Sequence, residues 1–209
     1  MGAPGRLIIL NGVSSSGKTT LASAFRDERA ASGEFWLLIG IDDFLSKLPV
    51  QWLDLGLAAG PGSLARDGLQ FETSANGREL RVGATCRQLL HAYHSAVAAA
   101  VRSGLDVIVD DVVIDDEVLR DWLDVLDELE PTWVAVRCSP EIAAERERRR
   151  GDRPVGMTST QTDTVHKSVR YAFEIDAGEL PPHEALNELN RLLAVHGVMR
   201  QVVEAPEAT

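Results

Sequence analysis

The chain has 209 residues, 44% of them hydrophobic, which is enough for one sizeable core and little more. Its formal net charge of −11 and pI of about 4.9 argue against a nucleic-acid partner, because neutralising a phosphate backbone needs a basic face. No apolar run approaches the ~20 residues of a membrane span, and MGAPGRLIIL is too short for a signal peptide; Cys86 and Cys138 fit no metal or CxxC pattern, so free thiols in a reducing cytoplasm are expected.

The first predicted element is the apolar run Arg6–Leu10, continuous as a strand buried on both faces should be. It runs into Gly12-Val13-Ser14-Ser15-Ser16-Gly17-Lys18-Thr19, a full match to Gly-x4-Gly-Lys-Ser/Thr, and helical sequence follows at once. That order is what a phosphate loop needs: backbone N–H groups and the positive end of a helix converge on a polyphosphate. Gly12 and Gly17 would let the backbone wrap closely around phosphate. Lys18 would reach the β/γ-phosphate oxygens, and the Thr19 hydroxyl would ligate Mg²⁺. A chance glycine-rich turn is the alternative, and the strand before and helix after it argue against that.

A second strand is predicted over Phe35–Gly40, and Asp42 and Asp43 follow it. Phosphoryl transfer to an alcohol needs a carboxylate that orients the hydroxyl and takes its proton, and Asp42 is placed for that role if its strand lies near the phosphate loop. Either aspartate could instead cap a helix over Phe44–Leu48, which is the role assigned to Asp43. The segment Pro49–Gly83 breaks the strand–helix rhythm. Its Asn76-Gly77 pair is a hairpin signal, and an insertion here would wall the acceptor site at the carboxyl edge of a parallel sheet, with a plain surface hairpin as the alternative.

Cys86, Leu90, Tyr93, Val97 and Val101 then recur at helical spacing, and a third strand over Asp106–Asp110 ends in Asp110-Asp111. One of that pair is expected to serve Mg²⁺. Asp115-Asp116 read as the N-terminal charges of a helix carrying Leu119, Trp122, Leu126 and Leu129. Beyond a fourth strand, Thr132–Arg137, comes the run Glu145–Arg153. Arg146 and Arg150 share a helical face, with Arg153 just past a glycine, and the three are assigned to a lid that neutralises the transferring phosphoryl group. A solvated helix face is the alternative, and Arg148 and Arg149 are left to solvent. His166 reads as a surface histidine, and His91 and His94 lack a third zinc-type ligand. Pro181-Pro182 opens a last helix with Leu186, Leu189 and Leu193 on one side, and the tail Val203–Thr209 is expected to fray.

Taken together, Ile8–Gly12 with Ser15–Lys18, Leu38–Asp42, Val107–Asp111, Val136-Arg-Cys-Ser, Arg146, Arg150–Arg153, Gly156-Met157, His166 and Tyr171–Asp176 resemble the chloramphenicol phosphotransferase family over roughly residues 6 to 178. The resemblance implies an α/β P-loop kinase fold: a parallel sheet of about five strands, helices on both faces and an arginine-rich lid. It also implies transfer of the ATP γ-phosphate to a hydroxyl of an antibiotic-like small molecule, with Asp42 as general base. The expected organisation is one phosphotransferase domain over 1–209, with its core at about 6–196, its lid at about 139–157 and its acceptor-side insertion at about 49–83. Departures gather at the acceptor side, in the long 49–66 region and at Asp43. A metabolic kinase of the gluconate or adenylylsulfate kind is therefore the first rival, and a nucleotide-binding regulatory protein with weak ATPase activity the second. Oligomeric state, a homo-oligomer included, is left open.

Overall fold

The continuous apolar runs become a five-stranded sheet in the computed structural model, which describes residues 2–56, 62–74, 77–150, 157–162 and 164–198. In chain order the elements begin with β1 (Leu7–Asn11), α1 (Lys18–Ala31), β2 (Trp36–Gly40) and α2 (Ile41–Leu45). After a 3-10 turn at Val50–Trp52 come β3 (Leu53–Asp54), β4 (Leu69–Ser74), β5 (Gly77–Val82) and α3 (Ala84–Arg102). The chain continues through β6 (Asp106–Asp111), α4 (Asp116–Val125), β7 (Thr132–Arg137), α5 (Pro140–Arg150), α6 (Met157–Gln161), β8 (Phe173–Asp176) and α7 (Pro182–Val195).

The main sheet has the order β2-β6-β1-β7-β8, and every pairing in it is parallel. Alternation along the strands splits the core in two. Leu7, Ile9, Val107 and Val109 face α3 and α4, with Tyr93 and Trp122 among their neighbours. Ile8, Leu10, Ile108, Val134 and Val136 face the other way, packed with Leu21 and Phe25 of α1 and Leu189 and Leu193 of α7. Burial on both faces explains why these strands read as unbroken apolar runs.

Sequence reasoning located four of the five strands. The fifth, β8, is an edge strand whose Phe173 and Ile175 are buried while Glu174 and Asp176 are exposed, so it shows no apolar run. The strand that leads to Asp42 lies one removed from the strand before the phosphate loop: β6 stands between β2 and β1, with Asp110 in register with Gly40 on one side and Leu10 on the other. The helix expected over Phe44–Leu48 starts earlier, at Ile41, so Asp42 and Asp43 lie in its first turn. The 49–83 excursion folds into a second sheet, β3-β4-β5. In it β4 and β5 form the antiparallel hairpin, with Ser74 opposite Gly77, while Asn76 lies outside the described residues.

Candidate active site

The strand, loop and helix at the start of the chain form a tight cradle. Ser15 (φ 62°) and Gly17 (φ 109°) both adopt left-handed backbone. Alternation of this kind turns successive N–H groups toward one point and makes an anion-binding concavity. Gly17 is the N-cap of α1, no side chain caps it, and no acidic residue stands in the first turn. The helix end therefore keeps its positive potential for a bound anion. A Cβ at Gly12 would lie 2.4 Å from the Val136 carbonyl oxygen, so glycine is needed here to pack the loop against β7. Asn11, just before it, is fully buried and bonded at both ends: its Nδ2 donates to Val165 O and to Tyr171 Oη, and its Oδ1 accepts from Val113 N. The loop starts from a fixed point.

Lys18 is buried, and its Nζ donates to the carbonyls of Gly12 and Val13 at 2.8 and 2.7 Å, with Asp110 Oδ1 at 4.0 Å. Thr19 Oγ1 donates to Asp110 Oδ2 at 2.5 Å. Strand alternation separates the paired aspartates. Asp110 faces α1, whereas Asp111 faces α4, fully buried, and accepts a hydrogen bond from Trp122 Nε1 at 2.6 Å. Burial, reinforced by Asp110 and opposed by the Trp122 and Val112 N–H groups, pushes the Asp111 carboxyl up to about 6. Asp111 as a metal ligand is thus corrected: its carboxylate lies on the far side of the sheet from Thr19. The two oxygens that do meet, Thr19 Oγ1 and Asp110 Oδ2, are hard donors of the kind Mg²⁺ takes.

A cavity of about 410 Å³ spans this edge, lined by Ser15, Gly17, Lys18, Thr19 and Asp110 on one side and by Arg146, Arg149 and Ala177 on another. Asp42 also lines it, at the start of α2. Asp43 Oδ2 accepts from Gly40 N at 2.8 Å, the helix-start role expected of it. Arg146 does not stand on a detached segment: its Nη1 donates to Ser16 O at 3.1 Å and its Nη2 to Ala177 O at 2.8 Å, tying the loop to the end of β8. Arg149, expected on the solvent side, lines the cavity while pairing with Glu145; its spacing of three from Arg146 puts the two on one helix face. The side chain of Arg150 and all of Arg153, the other two residues assigned to the lid, lie outside the described residues.

A second cavity, about 280 Å³, adjoins the first and shares Ile41, Asp42 and Val112 with it. Its walls are chiefly aliphatic, with Leu53, Leu55, Leu69, Leu80 and Val82 contributed by the 49–83 excursion. The polar residues lining it are Ser14, Asp42, Ser46 and Gln161. Sequence reasoning missed Gln161, whose Oε1 accepts from Ser14 N at 2.6 Å. Thr158 adds a second tie, from its Oγ1 to Ser14 O at 3.2 Å, and the buried Glu147 accepts from Thr158 N at 3.0 Å. His166 is half-buried rather than superficial. Its Nδ1 lies 2.7 Å from Tyr171 Oη, and burial lowers it to about 4, so the ring is neutral. His91 and His94 both meet the Asp121 carboxylate, and no metal-binding group of three occurs among the described residues.

The match to the model described as chloramphenicol phosphotransferase-like protein runs over residues 5–194, beyond the 178 expected, and takes in α7. The chain belongs to that family. Members of this kind are small-molecule phosphotransferases with the P-loop kinase fold, and the chain is one of them. Two curated relatives from Mycobacterium tuberculosis, strains CDC 1551 / Oshkosh and ATCC 25618 / H37Rv, each carry the name "Putative O-phosphotransferase". Each is 37% identical over 191 residues, covering 89% of this chain and 81% of the relative. Among solved structures, the fold is similar to a sugar kinase from Janibacter sp. HTCC2649 (TM-score 0.64, 18% identity, 95% of this chain and 100% of that one). It is also similar to the Mycobacterium tuberculosis APS kinase solved with AMPPNP and APS (0.61, 14%, 92% and 99%). A gluconokinase from Sinorhizobium meliloti 1021 matches at 0.57 and 19%, over 94% and 95% of the two chains.

Proposed function

We propose that this family member transfers the ATP γ-phosphoryl group to a hydroxyl of a small, uncharged, largely apolar molecule of the chloramphenicol-like antibiotic class. The observation that carries the reading is the junction at Asp42, where the cavity built on the phosphate loop, with Lys18, Asp110, Arg146 and Arg149 in its walls, meets an aliphatic one. The loop amides and Lys18 hold the β/γ-phosphates, for which Lys18 exchanges its bonds to the loop carbonyls. Thr19 and Asp110 hold Mg²⁺, which supplies charge neutralisation on the phosphate oxygens. Arg146 and Arg149 line the cationic side of the nucleotide cavity, and Arg150 and Arg153 are assigned with Arg146 to neutralising the transferring phosphoryl group.

In the reaction, the acceptor oxygen forms a bond to the γ-phosphorus as the bond to the β,γ-bridging oxygen breaks. The hydroxyl proton passes to the Asp42 carboxylate, and ADP leaves with the bridging oxygen. The aliphatic walls exclude water, the competing acceptor. They also weigh against gluconate or adenylylsulfate: no lysine or arginine among the described residues lines the second cavity, and an anionic acceptor would meet no cation among them there.

The test is incubation with Mg-ATP and a panel of hydroxyl compounds, chloramphenicol and other antibiotics beside gluconate and adenylylsulfate, read by mass spectrometry. A phosphate added to a neutral antibiotic supports the reading. Phosphorylation of the anionic acceptors alone moves the chain to the metabolic class. ATP hydrolysis with no phosphorylated product removes the acceptor reading altogether.

A further inference from the structure

Gln161 ends α6 and is almost fully buried, at 5% exposure. Its side chain reaches Ser14 in the phosphate loop, and because a backbone N–H can only donate, the atom at 2.6 Å from Ser14 N is the amide oxygen. The amino end, Nε2, therefore turns away from the loop. Both Ser14 and Gln161 line the aliphatic cavity, and no described residue is recorded accepting from Nε2. The segment that carries it is braced: Thr158 is held by Glu147 of α5 and reaches Ser14 O, so both backbone polar groups of Ser14 are gripped from α6. Nε2 is not one of the sealed, unpaired polar atoms of the described core, so its N–H groups open toward the cavity, where an oxygen of an entering molecule can replace solvent.

We propose that Gln161 is a specificity-determining residue, donating from Nε2 to a hydrogen-bond-accepting oxygen of the acceptor while its Oε1 holds the phosphate loop. The assignment rests on the aliphatic cavity being the acceptor site. It narrows the acceptor to an uncharged alcohol with a second oxygen, such as a carbonyl, nitro or further hydroxyl, within reach of the amide. One side chain then bonds both the loop and the molecule to be phosphorylated. This couples acceptor recognition to loop geometry.

Two variants separate the two bonds. Gln161→Glu retains an oxygen for Ser14 N–H but loses the donor; Gln161→Leu loses both. With chloramphenicol and benzyl alcohol as acceptor probes, kcat, acceptor KM and ATP KM are measured for each protein. Gln161→Glu is expected to raise the chloramphenicol KM by about 10- to 100-fold and to leave the ATP KM within about threefold. Gln161→Leu is expected to raise both. Wild-type protein is expected to prefer chloramphenicol over benzyl alcohol, which has no second oxygen, and Gln161→Glu to lose that preference. A chloramphenicol KM within about threefold of wild type in Gln161→Glu, or a wild type that prefers benzyl alcohol, overturns this assignment and leaves phosphotransfer standing. A wild type that phosphorylates neither probe, nor any alcohol of the wider panel, overturns both readings.

Discussion

Asp111→Asn tests the separation of the paired aspartates most sharply. In the native protein the Asp111 carboxyl is raised from an ordinary 3.8 to about 6, chiefly by complete burial. Below pH 3.8 the folded and unfolded chains both carry the proton. Between 3.8 and about 6 the unfolded chain has lost it while the native protein keeps it, so the native state binds more protons and stability falls as pH rises. The full loss is about 3 kcal/mol, of which about 2 falls between about pH 4.5 and about pH 7.5. Asparagine retains an oxygen for Trp122 Nε1 and has nothing to titrate. Other carboxylates, such as Asp115 and Glu174, are held below their usual range and tilt stability the opposite way, so the quantity to follow is the difference between variant and wild type. Urea unfolding followed by far-UV circular dichroism should show that difference moving in favour of Asp111→Asn by about 2 kcal/mol over that interval, whatever its offset. Activity should keep its Mg²⁺ dependence. A flat or falling difference, or a raised Mg²⁺ requirement, would refute the placement of Asp111 and return it to the metal.

Three further outcomes are expected. Asp42→Ala should lower kcat by about 10²-fold or more while ATP affinity by calorimetry stays nearly constant, because only the acceptor's proton has lost its destination; near-normal turnover on any accepted substrate would end the base assignment. Thr19→Val and Asp110→Asn should each raise the Mg²⁺ concentration for half-maximal activity by at least about 10-fold, read from metal titrations at fixed ATP. Gly12→Ala should cost about 1–3 kcal/mol of stability even without nucleotide, since its Cβ would meet the Val136 carbonyl; a thermal melt equal to wild type would show that the loop and β7 are not packed this closely.

Some of this geometry was legible in the chain and some could not be. The β1–loop–α1 unit is local, and its pattern specifies both the turn and the helix end. The stripes of α3, α4 and α7 are local too: Cys86, Leu90, Tyr93, Val97 and Val101 are all buried as their spacing implies. Asp110 and Asp111 sit on opposite faces by strand alternation alone, but sequence cannot say which face α1 covers until the sheet order is known. That order rests on pairings between residues about a hundred positions apart, such as Leu10 with Asp110. The Ser14–Gln161 bond spans 147 positions, and a glutamine on a five-residue helix carries no periodic signal. β8 escaped because its outward glutamate and aspartate hide a two-residue apolar face.

The division between the legible and the illegible parts follows the chemistry. Binding a polyphosphate requires backbone amides, a helix end and one lysine, which a short contiguous motif can encode. The proposed acceptor cavity is lined by side chains drawn from α2, the β3–β5 excursion, α3 and α6, and only the fold brings these together. The sugar kinase, the APS kinase and the gluconokinase share this fold at 14–19% identity while their names specify different acceptors, so the fold does not determine the acceptor. What differs between such enzymes should lie in the lining of the second cavity. In this chain that lining is aliphatic apart from Ser14, Asp42, Ser46 and Gln161; Asp42 also lines the nucleotide cavity, and Gln161 bonds Ser14 of the phosphate loop. On the proposed reading, a neutral acceptor held there would be oriented by the same loop that holds the donor, which is what in-line transfer demands.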